Sequence, residues 1–303
     1  MPVPRDRRNF ADRLLAAIDE KGSPVCVGLD PRYEYLPDQL KRDKPNAAQM
    51  ADAVSRFCGQ VLEVVAPHVP AVKLQSAYFE VFRELGALAY RTVTQAAVNC
   101  GLMVIGDVKR NDIHSTAQAY STAHLALPET PDAITVNPYF GADGLSPFIE
   151  DCREHAKGVF VLVRTSNESA PQVQDFTDAD GKKLYEHIAE QVAALGDGEG
   201  LTGTRGYSCV GAVVGATYSD EARRLRRLMP RQIFLVPGYG AQGATAADCA
   251  AAFDDDGAGA IVNASRSVIY AYRRDEYKGL DWKQAIETAA KAFAADIARA
   301  VGT

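Results

Sequence analysis

Eight short apolar runs rich in β-branched residues constrain the fold of this chain more than any other feature. They fall at 24–29, 70–75, 102–109, 133–137, 158–163, 210–216, 232–236 and 258–262, and each is separated from the next by a segment long enough for a helix. Strands alternating with helices predict a parallel sheet, because parallel neighbours need a long crossover. Eight such units either close into a barrel or spread as an open doubly wound sheet. No Gly-x-Gly-x-x-Gly follows the first run, and chemically unusual residues stand at the C-terminal ends of nearly all runs: Asp30, Lys73, Asp107 with Lys109, Asn137, Thr165 with Ser166, Thr217, Gln242 and Arg266. A (β/α)8 TIM barrel brings those ends together on one face, whereas an open sheet would string them along an edge. The expectation is one α/β barrel domain over residues 1–303. A helix within 1–22 should pack on it, since Phe10, Leu14, Leu15 and Ile18 repeat at helical spacing before Gly22. Segments 166–180 and 196–206 read as the least ordered parts, surface insertions.

Composition narrows the partners. A 47% hydrophobic and 24% charged chain has ample material for a core. The net charge of −6 and a pI near 5.5 argue against nucleic acid or an anionic membrane as partner, so an anionic ligand must be held locally. Six cysteines (26, 58, 100, 152, 209, 249) stand singly with no C-x-x-C pair, which fits neither zinc nor iron–sulfur spacing. Charges interrupt the first 20 residues where a signal sequence would be apolar, and no run reaches membrane-span length. A cytoplasmic protein with reduced thiols is expected.

The chemistry concentrates in Ile105-Gly106-Asp107-Val108-Lys109-Arg110-Asn111-Asp112-Ile113-His114-Ser115-Thr116. Alternation along a strand points Asp107 and Lys109 to one side, where the strand gives way to a loop. Asp112 lies past the strand end, and periodicity assigns it neither to this site nor to a neighbouring one. Taken alone, the Asp-x-Lys-x-x-Asp spacing fits a solvated ion pair equally well. Lys73, inside a short apolar run, needs a reason of its own. On the other side stand Pro237-Gly238-Tyr239-Gly240-Ala241-Gln242-Gly243 and Asn263-Ala264-Ser265-Arg266-Ser267. Glycines let amides approach an anion, and the loops after strands seven and eight of a barrel commonly hold phosphate. Arg266 adds a permanent charge, although a tight turn beside a surface arginine would look similar. Together the two sides suit a phosphorylated small molecule whose reacting part lies over strands two and three. Ammonium groups placed there stabilise anions or deliver protons to carbanions.

Seven segments in order, Val27-Gly28-Leu29-Asp30-Pro31, Val72-Lys73, Gly106 to Ile113, Val136-Asn137-Pro138-Tyr139, Thr165-Ser166-Asn167, Pro237 to Gly243 and Ser265-Arg266-Ser267, resemble the orotidine 5'-phosphate decarboxylase family, in particular its longer bacterial branch. The resemblance implies that Lys109 protonates C6 of the pyrimidine as carbon dioxide leaves, with Asp107 beside the substrate carboxylate and Lys73 bridging Asp107 and the ribose. It implies that Asp30 binds a ribose hydroxyl, that Ser166 meets the pyrimidine amide, and that Gln242, Gly243 and Arg266 hold the phosphate. Asp112 and Thr116 would reach across a homodimer interface into the neighbour's site. No metal and no organic cofactor is implied. Two positions depart from the pattern: Ala264-Ser265 precedes Arg266 where the short branch has glycine, and His114 stands where a smaller residue or proline is expected. Metal-dependent barrels such as 3-keto-gulonate 6-phosphate decarboxylase share Asp-x-Lys-x-x-Asp but carry an acid on the second strand, where Lys73 would repel magnesium. A non-catalytic phosphate-ligand sensor would have no use for a buried proton donor.

Overall fold

The computed structural model describes residues 6–240 and 243–302. The eight apolar runs become β1 (Val25–Leu29), β2 (Ala71–Gln75), β3 (Met103–Arg110), β4 (Ala133–Val136), β5 (Gly158–Arg164), β6 (Ser208–Val214), β7 (Gln232–Pro237) and β8 (Ala260–Ala264). All pair in parallel and in chain order. β8 returns to β1 through Val25↔Val262 and Val27↔Ala264, which closes the barrel. β1, β6 and β8 are buried at every residue, as parallel strands are when helices cover one face and the barrel interior the other. The covering helices show why these segments coil. In α2 (Ala47–Val65), Asn46 and Gln49 cap the first turn reciprocally, while Val54, Phe57, Cys58, Val61, Leu62 and Val65 line the buried face at helical spacing. The last helix, Trp282–Val301, opens on a similar capping box at Asp281 and ends at left-handed Gly302.

The N-terminal helix α1 (Phe10–Lys21) covers the N-terminal mouth of the barrel. Phe10 meets Phe160 edge-on, with ring centroids 5.9 Å apart, and a Cβ on Gly158 at the start of β5 would lie 2.2 Å from the Phe10 ring. Arg13 pairs with Asp132 at 2.7 Å. Asp12 accepts hydrogen bonds from the Thr204 amide and hydroxyl and from the Arg205 amide. The segment 196–206 is therefore no mere surface insertion, because it supplies the donors that a buried helix carboxylate requires.

Each of the eight strands differs from the sequence reading by one or two residues at an end, and three of these shifts matter. β3 runs on to Arg110, so Asp107 and Lys109 lie within the strand. β6 begins and ends two residues early, and β8 starts at Ala260 because Gly257 and Gly259, both at positive φ, turn the chain just before it. Segment 166–180 is also built rather than loose. Arg164, fully buried at the end of β5, pairs with Glu221 at 2.6 Å and Asp175 at 2.9 Å, and its guanidinium lies over the rings of Tyr218 and Tyr185. A buried permanent cation demands such partners, and meeting that demand draws the segment back onto the barrel. Gln174, at the end of the short helix Pro171–Gln174, completes the attachment by accepting from the Thr165 amide and donating to its hydroxyl.

Candidate active site

A cavity of about 460 Å³ opens at the C-terminal ends of the strands. It brings together Asp30, Lys73, Asp107, Lys109, Ser166 and Arg266 from five different strand ends, as the barrel reading expected.

On the β2–β4 side the centre is Asp107, which is 7% exposed. Its Oδ2 accepts from Lys73 Nζ at 2.7 Å and from Gln75 Nε2 at 2.9 Å. Its Oδ1 accepts from Thr135 Oγ1 at 2.9 Å and from Lys109 Nζ. Burial alone would raise this carboxyl, but the Lys73 and Lys109 charges and their hydrogen bonds hold it far below the usual carboxylate range. Burial likewise works against the Lys73 ammonium, and the charges of Asp107 and Asp30 outweigh it, raising Lys73 well above its ordinary value. Asp107 and Lys73 thus hold each other in their charged forms, with Lys73 mostly buried and the Lys109 side chain 46% exposed toward the cavity.

On the β7–β8 side, Pro237, Gly238, Tyr239, Ser265 and Arg266 form the wall. Gly238, Gly240 and Gly243 take positive φ values, the conformation that let the sequence motif be read as a glycine turn. Gly243 donates its amide to Gly240 O at 2.9 Å. Gln242 lies outside the described residues. Arg266 is exposed at the rim, at the start of the short helix Arg266–Ile269. A Cβ on Gly28 would fall 1.9 Å from Ser265 Oγ, so the glycine in β1 is what admits Ser265 to the wall. Two buried acceptors on cavity-lining residues, Asp30 Oδ1 and Asn263 Oδ1, have no partner among the described residues. Such atoms cost about 1–3 kcal/mol each until a donor meets them, and a ligand hydroxyl or N–H would do so.

Asp112 and Thr116 do not line the cavity. Asp112 is half-buried after β3 and accepts from the Ile113 amide at 2.8 Å, while Thr116 is exposed on the helix His114–Ser121. Two strand-end residues expected on the same face are also elsewhere: Asn137 accepts from the Tyr139 amide and shapes its own turn, and Thr217 points to solvent. His114 is exposed at a positive φ. Sequence reasoning missed Gln75, Thr135 and Asn263. All three are polar residues within apolar strands, and for two of them the signal was there in the alternation, since Gln75 shares a face with Lys73 and Asn263 with Ser265. Among the described residues, Asp151, Glu154 and His155 bring three metal-type ligand atoms within 4.8 Å of one another, and none of them lines the cavity.

Residues 23–278 match the family model described as Orotidine 5'-phosphate decarboxylase / HUMPS family. The chain is 44% identical over 92% of its length to an orotidine 5'-phosphate decarboxylase of Rhodopirellula baltica, covering 96% of that protein. It is 39% identical over 97% of its length to one of Caldicellulosiruptor saccharolyticus, covering 99% of it. Among solved structures, the OMP decarboxylase of Leishmania donovani superposes with a TM-score of 0.77 at 31% identity, over 97% of this chain and 99% of that one.

Proposed function

The chain belongs to the orotidine 5'-phosphate decarboxylase family, and from that membership and the charge arrangement we propose how its own residues perform the reaction. It is a carboxy-lyase of pyrimidine biosynthesis that converts orotidine 5'-monophosphate to UMP and carbon dioxide. The observation that carries the residue-level reading is Asp107, held between Lys73 and Lys109 across the cavity from Arg266 and the glycine turn.

Lys109 is the proton donor. Loss of carbon dioxide leaves an electron pair on a ring carbon with little resonance help, and a fixed ammonium beside that carbon stabilises it and then protonates it. The exposed tip of Lys109 reaches the cavity, whereas Lys73 lines it mostly buried against Asp107 and serves to hold that carboxylate and the ribose. Asp107 stands beside the substrate carboxylate. Its charge repels the group that leaves, and that repulsion vanishes with carbon dioxide. Asp30, with its unpartnered Oδ1, takes a ribose hydroxyl, and Ser166 takes the pyrimidine amide. Arg266, Gly243 and Gln242 hold the phosphate at the far end. Binding there, remote from the reacting carbon, supplies free energy for drying and closing the site. The two ammonium groups would repel a divalent cation, so the step runs without metal.

The protein acts as a homodimer with shared sites, Asp112 and Thr116 serving the neighbour. Supporting this, Asp112 lies beside an apolar surface: Ile113, Tyr139 and Phe140 are exposed, and the Asp112 carbonyl and Phe140 Cβ flank Gly144. A second copy covering that surface would bury it and bring Asp112 to the partner's cavity.

The test is the loss of ultraviolet absorbance of orotidine 5'-monophosphate with purified protein, with and without excess chelator. Equal rates are expected. No decay, or decay only with added magnesium, would point instead to the metal-dependent sugar-phosphate members of the family.

A further inference from the structure

The β3–β4 ladder contains a break that the decarboxylase chemistry described above does not use. Gly106 pairs with Ile134 and Arg110 with Val136, so Asp107, Val108 and Lys109 together face the single residue Thr135. Two extra residues in one strand form a bulge, a device that re-aims side chains near active sites. Within it Lys109 takes φ +47°, a left-handed conformation that a non-glycine residue keeps only where its surroundings impose it. The backbone ladder cannot serve the bulged amide, and a side chain does so instead. Lys109 N donates to Thr135 Oγ1 at 3.0 Å, and the same hydroxyl donates to Asp107 Oδ1 at 2.9 Å. Thr135 is 1% exposed and sits on a four-residue strand whose other members, Ala133, Ile134 and Val136, are apolar.

We infer that Thr135 is a positioning residue: its hydroxyl spans the bulge and locks the Lys109 backbone and the Asp107 carboxylate into one fixed relation. The inference rests on Lys109 and Asp107 being the reacting pair. One hydroxyl is both acceptor and donor here, so its removal loosens proton donor and carboxylate together. Asp107 keeps its other three donors and its charge, and the phosphate end is untouched. The loss should therefore fall on the chemical step and leave substrate and product binding alone.

The experiment compares Thr135→Val, which keeps the shape and deletes the hydroxyl, with Thr135→Ser, which keeps the hydroxyl. Wild type is assayed first; if it does not decarboxylate orotidine 5'-monophosphate, the functional reading fails before this one is reached. With wild type active, Thr135→Val is expected to lower kcat about ten- to hundredfold, the effect of losing a hydrogen bond to a charged group, with KM and UMP affinity within about threefold of wild type. Thr135→Ser should stay within about threefold in kcat. Thr135→Ala carries the same expectation as valine and replaces it if the valine variant does not fold. A hydroxyl-free variant with near-normal kcat, a serine variant as impaired as valine, or a loss confined to KM would each overturn the inference.

Discussion

The two ends of the cavity are built on opposite plans. At the β2–β4 corner every lone-pair direction of Asp107 is taken, the carboxylate is buried between two ammonium groups, and even a strained backbone turn is held by a side chain. At the β7–β8 corner the glycines permit rather than impose a conformation, Arg266 stands in solvent, and nearby Asp30 and Asn263 carry acceptors without partners. Electrostatic stabilisation works only if the groups are in place before charge develops, because reorganising them would consume what they supply. Gripping a phosphate can instead proceed by closure, each contact forming as the ligand arrives. Chemistry is thus assigned to the rigid corner and affinity to the adaptable one.

The largest effect that would sharpen this contrast is on turnover by Lys109→Ala. If Lys109 is proton donor and carbanion counter-charge at once, as proposed, its removal should lower kcat by at least about four orders of magnitude in a steady-state assay. Near-normal kcat would break the contrast at once. Next comes the subunit-exchange test. Lys109→Ala and Asp112→Ala proteins are each impaired alone, but after mixing, half the dimers are mixed and one of their two sites is intact. About one site in four should therefore recover. No recovery, with exchange verified by differently tagged subunits co-purifying, would return Asp112 to its own chain.

Arg266→Ala should act at the adaptable end. Loss of a charged hydrogen bond worth about 1.5–3 kcal/mol lowers kcat/KM by about one to two orders of magnitude, chiefly through KM. A loss chiefly in kcat would blur the distinction between the corners. Smaller still is Gly28→Ala, whose methyl would meet Ser265 Oγ, and overpacking of this kind costs about 1–3 kcal/mol of stability by denaturant titration. The Asp107–Lys73 pair should contribute no pH dependence across the working range. The Asp107 pKa is lower folded than unfolded, so its contribution is complete above the unfolded carboxylate value of about 4 and is lost only as pH falls toward the folded value. The Lys73 pKa is raised, so its contribution is complete below about 10.4 and is lost only as pH rises through the folded value. Melting in this variant-free protein, followed against Lys73→Met, should give parallel curves between about pH 5 and 10. A difference that changes with pH would mean that the pair titrates.

The contrast also governs what the sequence could disclose. The barrel was legible because β-branched runs and helical spacers repeat eight times, and the Asp107–Lys109 ion pair in the cavity because acid and base sit two apart on a strand. The β6 and β8 boundaries slipped because apolar residues continue past Val214 and begin before Ala260, and only pairing decides which of them join the ladder. Thr135 was missed for a related reason. A threonine in a strand is ordinary until a bulge in its neighbour hands it three residues to face. The pinning of 166–180 was equally hidden, since Arg164, Asp175 and Glu221 lie far enough apart in sequence that only the fold makes them one cluster. Asp112 kept its ambiguity, because its proposed partner is on another chain.

The assignment of chemistry to one corner and grip to the other meets its most direct test in product binding by Lys109→Ala. Calorimetric titration with UMP should give a Kd within about threefold of wild type, since UMP retains the phosphate and ribose contacts and has no carboxylate for the rigid corner to expel. A Kd that weakens in step with the loss of turnover would make Lys109 a binding group and contradict its role as the proton donor.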